Sequence, residues 1–384
     1  MAMQQSSKVC CKRVASRAGA QFQRAIFGDG TDVDLLQSLL YPINKLTAKF
    51  LSFGSLVSWT SLLCALGIAV FFLVRKRITR RRRIRLRTIA RALFPRWMLR
   101  SPSYNADVGY FFLSSLVFGL IFGWAILSFQ VVSNLVIDGL VGTFGATTPT
   151  ALPAFLCSAI ITLVLFLAYE LGYWFDHYLS HRVPILWEFH KVHHSAEVLT
   201  PLTQFRVHPV DGLINANILA ITIGIANGVA NYAFGRTTYQ YAITDVNLLF
   251  VLFVHAYIHL QHTHLWIAFR GLTGRVLLSP AHHQIHHSIN PVHFNKNLGS
   301  CLAIWDWLFG TLHVPAREPE RLTFGVEEEH KEHHHALMGS LVDPLWRVAL
   351  QLKGVIAGVD APASVTVREA EPEATPAVGE AARS

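Results

Sequence analysis

Histidine is missing from the first 176 residues of this 384-residue chain, and all 20 of its histidines follow. Charge is scarce as well: 15% of residues are charged against 52% hydrophobic, a balance that excludes an ordinary soluble domain. The five cysteines (Cys10, Cys11, Cys64, Cys157 and Cys301) are odd in number and lack metal-ligand spacing. They exclude a disulfide framework and a thiolate zinc site. No haem or flavin motif is present, so any electrons a redox reaction needs come from another protein. The first 45 residues are polar and mixed, without the short apolar core of a cleavable signal peptide.

Long uncharged runs account for the apolar balance. Leu51 to Val74 is 24 residues without a charge and Val108 to Ile137 is 30. Thr150 to Tyr169 and Leu213 to Phe234 add two more, and a weaker stretch, Tyr239 to Leu260, is interrupted by Asp245. A hydrocarbon core about 30 Å thick needs roughly 20 helical residues. The predicted fold is therefore all-α and integral to the membrane, with about four to five transmembrane or re-entrant helices. The net charge of +9 is local: 12 of the 33 Lys and Arg residues lie between Arg75 and Arg100, directly after the first run. A basic block against a span reads as a cytoplasmic anchor beside anionic headgroups, not as a nucleic-acid surface. With that block inside, Asp138 to Pro149, which has no Lys or Arg, is an outer loop. The histidines then fall together on the cytoplasmic face as a helical cap. The expected organisation is a polar extension (1–45), a first transmembrane helix with the basic segment (46–107), a histidine-bearing domain (108–315), a cytoplasmic segment (316–359) and a disordered tail (360–384).

The histidines are patterned. "DHYLSH" holds His177 and His181 at i, i+4, "WEFHKVHH" holds His190, His193 and His194, and "HHQIHH" repeats that spacing with His283, His286 and His287. "HAYIH" adds His255 and His259, again at i, i+4. On a helix, i, i+3 and i+4 share one face, so the imidazoles of each pattern can reach one ion, and adjacent histidines can diverge toward two. An imidazole at a membrane boundary is costly unless it is bonded or metallated. Ten such histidines are enough for two ions, where a structural zinc needs only four ligands. The ligand set is nearly all imidazole, which suits iron, zinc, copper or nickel alike. His262, His264, His282, His293 and His313, and "HKEHHH" at 330–335, read as ordinary polar or solvated histidines. Carboxylates beside the patterns, Asp176, Glu188, Asp211 and Asp306, together with Arg206 and His208 of "RVHP", are candidates to orient the ligands through their second ring nitrogen.

"HYLSH", "EFHKVHHS" and "HHQIHHS", in this order between hydrophobic spans, resemble the sterol desaturase/fatty acid hydroxylase superfamily of membrane di-iron enzymes. "LLSPAHHQIHHS" and "FNKNLGSCLAIWDWLFGTLHVP" extend the likeness, which runs from about Val108 to Pro315. The resemblance implies two irons, with O2 as co-substrate and a separate reductase or small electron carrier. Its reaction is hydroxylation or desaturation of an unactivated C–H bond in a lipid. Carried over by position, His177, His181, His190, His193, His194, His283, His286 and His287 are ligands. His255 falls near a family histidine, and His259 follows from its spacing. Two other readings stand beside this one: a non-enzymatic lipid-binding protein with a structural zinc site, and a metal transporter. The one-sided clustering of the histidines argues against the transporter.

Overall fold

The computed structural model describes residues 43–118, 122–326 and 336–356. The expected polar extension, apart from its last three residues, and the whole of the expected tail lie outside these, as does the 330–335 histidine patch. The chain divides into two compact units, Met1–Leu51 and Ser52–Ser384. Residues 43–51 of the first are helical. In the second, the main helices are α1 (Trp59–Thr79), α2 (Leu86–Leu93), α3 (Pro102–Phe112), α4 (Phe129–Phe144), α5 (Ala154–Arg182), α6 (Pro184–His194), α7 (Pro209–Phe234), α8 (Leu248–Gln261), α9 (Pro280–His286), α10 (Ile304–Leu308) and α11 (Leu337–Ile356). The only named strands among the described residues are a two-residue pair, Ala242–Ile243 with Val246–Asn247.

Proline marks the starts. Pro102, Pro184, Pro209 and Pro280 each occupy the first helical turn of α3, α6, α7 and α9, where a missing N–H costs nothing and φ is already suitable. Ser101, His208 and Ser279 precede three of them and accept a backbone N–H from the first turn. These punctuation marks set where α6 and α9, two of the histidine-bearing helices, begin.

Among the described residues, three helical segments are long and apolar enough to cross a membrane: Gly123–Phe144, α5 and α7. The uncharged run from Val108 to Ile137 is not one helix. It is divided into α3, a π turn over Leu113–Val117, and α4, with an extended Ile126 and Ser128 between. The Tyr239–Leu260 stretch also departs from a full span. Its first part turns through Thr244 and Asp245, both at positive φ, and α8 supplies only 14 residues. That is about 21 Å, short of a hydrocarbon core of about 30 Å.

α7 is the hub of the spans. Gly224 and Gly228, one turn apart, face α4 so closely that a Cβ on either would lie 2.6 and 2.7 Å from Val132 and Val136. This small-xxx-small spacing brings backbones together where apolar lipid offers no hydrophobic drive. Asn227 on the same face donates to Ser133 Oγ at 2.8 Å. Outward, Leu135, Phe155, Leu163 and Val229 are exposed, as lipid-facing residues are. α5 has 29 residues and a length of about 44 Å. Its last two turns, which carry His177 and His181, therefore extend past a core of about 30 Å.

Candidate metal centre

The histidines of α5, α6 and α9 converge with one from the end of α8. Two groups form, each with ligand atoms mutually within 4.8 Å: His177, His181, His190, His194 and His286, and His193, His262, His283 and His287. Successive residues on a helix are rotated by about 100°, so the adjacent pairs part. His194 joins the first group and His193 the second, and His286 and His287 divide likewise. Each HxxHH pattern thereby serves both groups.

In the first group, Nε2 of all five rings is buried without a hydrogen-bond partner. Buried polar atoms are nearly always satisfied, and five unpartnered imidazole nitrogens within 4.8 Å of one another have the donor chemistry of a metal cage. In the second group, His262 Nε2 lies 3.1 Å from His193 Nε2 and 2.8 Å from His283 Nε2, and His287 Nε2 lies 3.2 Å from His283 Nε2. Ligands about 2.1 Å from a shared ion come about this close to one another. The residues therefore fit two metal ions.

The second ring nitrogens set the orientation. Nδ1–H of His177 donates to the Leu298 carbonyl (2.7 Å), that of His286 to Lys296 (2.9 Å) and that of His193 to Arg206 (3.2 Å). His190 donates to the Asp211 carboxylate at 3.1 Å. With Nδ1 engaged, Nε2 is left as the lone-pair nitrogen facing inward. Burial, reinforced by neighbouring imidazoles, lowers the pKa of His193, His194, His283 and His287 well below the ordinary value. Burial brings His262 and His286 to about 3. These six rings are neutral, as metal ligation requires.

Two carbonyls that orient ligands come from one loop, residues 295–299. Asp306 clamps it: Oδ1 accepts from Leu298 N–H and Oδ2 from Gly299 N–H, each at 2.8 Å. Glu170 Oε2 accepts from Cys301 and Leu302 N–H just beyond. Asn297, at φ 58°, donates to the His282 and His313 carbonyls and accepts from His313 N–H. Asp306 thus acts on His177 through the backbone. Arg206 also contributes its carbonyl, and its guanidinium is locked in a fully buried ion pair with Asp107 at 2.9 Å.

Several candidate residues go elsewhere. His255 and His259 share a face, as their spacing predicts, but that face packs on α1. His255 Nε2 pairs with Thr60 and His259 Nε2 with Ser61, and neither joins a group. His262 joins instead, because the chain leaves helical geometry there (φ −90°, ψ 71°). Asp176 accepts from Asn215, and Glu188 pairs with Lys191 and Gln351. His208 caps α7 through Nδ1 and donates Nε2–H to the Leu341 carbonyl. None of these three touches a ligand ring in the contacts above.

Sequence reading missed His262, Asp107 and Glu170. For Glu170 a signal existed, since a lone acid within an apolar helix is costly and asks for a reason. His262 offered one as well, standing at i, i+3 from His259, but it lies just past the apolar stretch and reads as an ordinary polar residue.

The pattern of the fatty acid hydroxylase family matches residues 162–311. Alkylglycerol monooxygenase of Danio rerio is 29% identical over 42% of this chain and 32% of its own length. Ornithine lipid hydroxylase of Rhizobium tropici is 31% identical over 41% of this chain and 43% of its own. A putative Δ7-sterol-C5(6)-desaturase of Arabidopsis thaliana is 28% identical over 43% and 52%. The chain thus spans about a third to a half of the length of these relatives. No solved structure matches significantly. The matched segment contains every histidine of the two groups, and the matches support the sterol desaturase/fatty acid hydroxylase superfamily for that segment.

Proposed function

We propose that this protein is a membrane-embedded oxygenase that holds two iron ions among its nine clustered histidines. With O2 it hydroxylates or desaturates a C–H bond of a lipid taken from the bilayer. The observation that carries the reading is the pair of converging imidazole groups, five and four, at the end of a membrane-length helix. The relatives support it, being a monooxygenase, a hydroxylase and a desaturase by name.

Iron, when bound, supplies redox chemistry with O2 that zinc lacks. The chain's own residues do the positioning. His177, His181, His190, His194 and His286 would hold one ion, and His193, His262, His283 and His287 the other. Asp211 and the Leu298, Lys296 and Arg206 carbonyls hold the Nδ1 protons of His190, His177, His286 and His193, so these four rings keep their N–H turned away from the ion. Burial of the rings excludes bulk water from the reacting face. The exposed apolar flanks of α5 and α7 run up to the site, a route by which a lipid tail reaches it without crossing water.

One contact supports the cytoplasmic reading. His264, two residues past His262, donates to the Ala92 carbonyl at 2.7 Å, which brings the basic segment to the histidine end of the molecule. By the positive-inside rule that end faces the cytoplasm. Electrons come from a separate reductase or carrier reaching this face.

The test is lipid profiling of a strain lacking the gene, complemented with wild type or with the His193→Ala/His194→Ala variant. The expected outcome is a lipid change that only wild type reverses. Full reversal by the double variant rejects the proposal. Metal analysis of the purified protein is expected to give two irons with the spectroscopic signature of a coupled pair.

A further inference from the structure

A third cluster of metal-ligating side chains lies outside the two groups: His293, His313 and Glu320, whose ligand atoms are mutually within 4.8 Å. His293 ends a short 3-10 turn, Pro291–His293, that begins the loop carrying Lys296 and Leu298. We propose that these three residues form a separate divalent-cation site, of the two-imidazole, one-carboxylate kind that suits zinc. In that role the ion braces the loop that orients His177 and His286.

The geometry points to a ligand rather than to hydrogen bonding. His293 Nε2 is 3.5 Å from Glu320 Oε2, too long for a charge-assisted hydrogen bond of about 2.7–2.9 Å. Two ligands about 2.1 Å from one tetrahedral ion lie about 3.4 Å apart, which this separation matches. The other nitrogen, His293 Nδ1, is buried without a hydrogen-bond partner, although the residue is only 5% exposed. The ring is thus held in the interior with no normal hydrogen bond at either nitrogen. His313 completes the set edge-on, with ring centroids 5.2 Å apart and planes at 77°, so the two rings do not stack. Glu320 is partly open to solvent, which supplies an entry path and room for a water as fourth ligand.

The consequence for the main centre follows from connectivity. Asn297 is bonded to the backbone of His313 in both directions, and Lys296 between it and Asn295 presents the carbonyl to His286. An ion joining residue 293 to residues 313 and 320 closes this loop at its open end.

The test uses the full-length protein in detergent, loaded with iron and then with Zn2+, with free metal removed. Wild type is expected to hold one more equivalent of zinc than Glu320→Gln and His313→Asn, with equal iron in all three. That difference is read whichever metal fills the nine-histidine groups. Zinc X-ray absorption of the wild type is expected to show two imidazoles and oxygen, a readout independent of how the variants fold. Equal zinc in all three proteins, no zinc retained by wild type, or an absorption spectrum without two imidazoles overturns the proposal.

Discussion

Asp211 is the one carboxylate in direct contact with a ligand ring among those flanking the histidine patterns, and its removal is the sharpest probe of how the centre is held. It sits in the first turn of α7, where the helix dipole favours a carboxylate by about 0.3–1 kcal/mol, and accepts from His190 Nδ1–H at 3.1 Å. In Asp211→Asn an amide oxygen can still accept that proton, but without charge. A charge-assisted bond is about twice as strong as a neutral one, so about 1 kcal/mol is lost, or about fivefold in metal affinity. In Asp211→Ala the buried N–H has no acceptor and the ring is free to turn. The loss is then about 10–100-fold. The assay is release of iron to a chelator, timed for wild type and both variants. Glu188→Gln is the control. Glu188 is equally buried and closer in sequence to the histidines, yet it pairs with Lys191. Leaving that lysine unpaired costs about 3–5 kcal/mol, so this variant melts earlier but releases iron at the wild-type rate. If Asp211→Ala retained iron as wild type does, or Asn proved as damaging as Ala, the orienting role would be refuted.

His262→Ala is expected to lose the metal of the second group, whereas His259→Ala keeps both, as read by iron content per chain. Gly299→Ala places a Cβ 2.5 Å from the Leu302 carbonyl and 3.0 Å from Asp306. It opens the clamp behind His177, and iron is expected to leave the first group at least tenfold faster. Acid should destabilise the metal-free protein. His262 and His286 have folded pKa values of about 3, below the unfolded value of about 6.5. Between those limits the unfolded chain binds more protons, so stability is intact above about pH 6.5 and falls with each step toward pH 3. Melting temperature against pH reads this directly, and a flat profile from pH 7 to 5 contradicts it.

Much of this protein was legible in one dimension. Uncharged length identified α5 and α7, because a hydrocarbon core sets a minimum run regardless of what packs against it. The i, i+3, i+4 spacing placed His190, His193 and His194 on one helix. Local geometry decides such features, so local sequence carries them. The choice between His259 and His262 was different. Spacing says which residues share a face, but not which neighbour that face meets, and α1 happened to receive His255 and His259. The division of five histidines from four, the Asp306 clamp more than a hundred residues from His177, and the buried Asp107–Arg206 pair also depend on chain crossings. The order of residues determined that there would be a histidine-rich candidate metal centre beside a membrane-length helix. Only the packing of α5, α6, α8 and α9 decided which imidazole completes it, because a ligand set is defined by convergence in space.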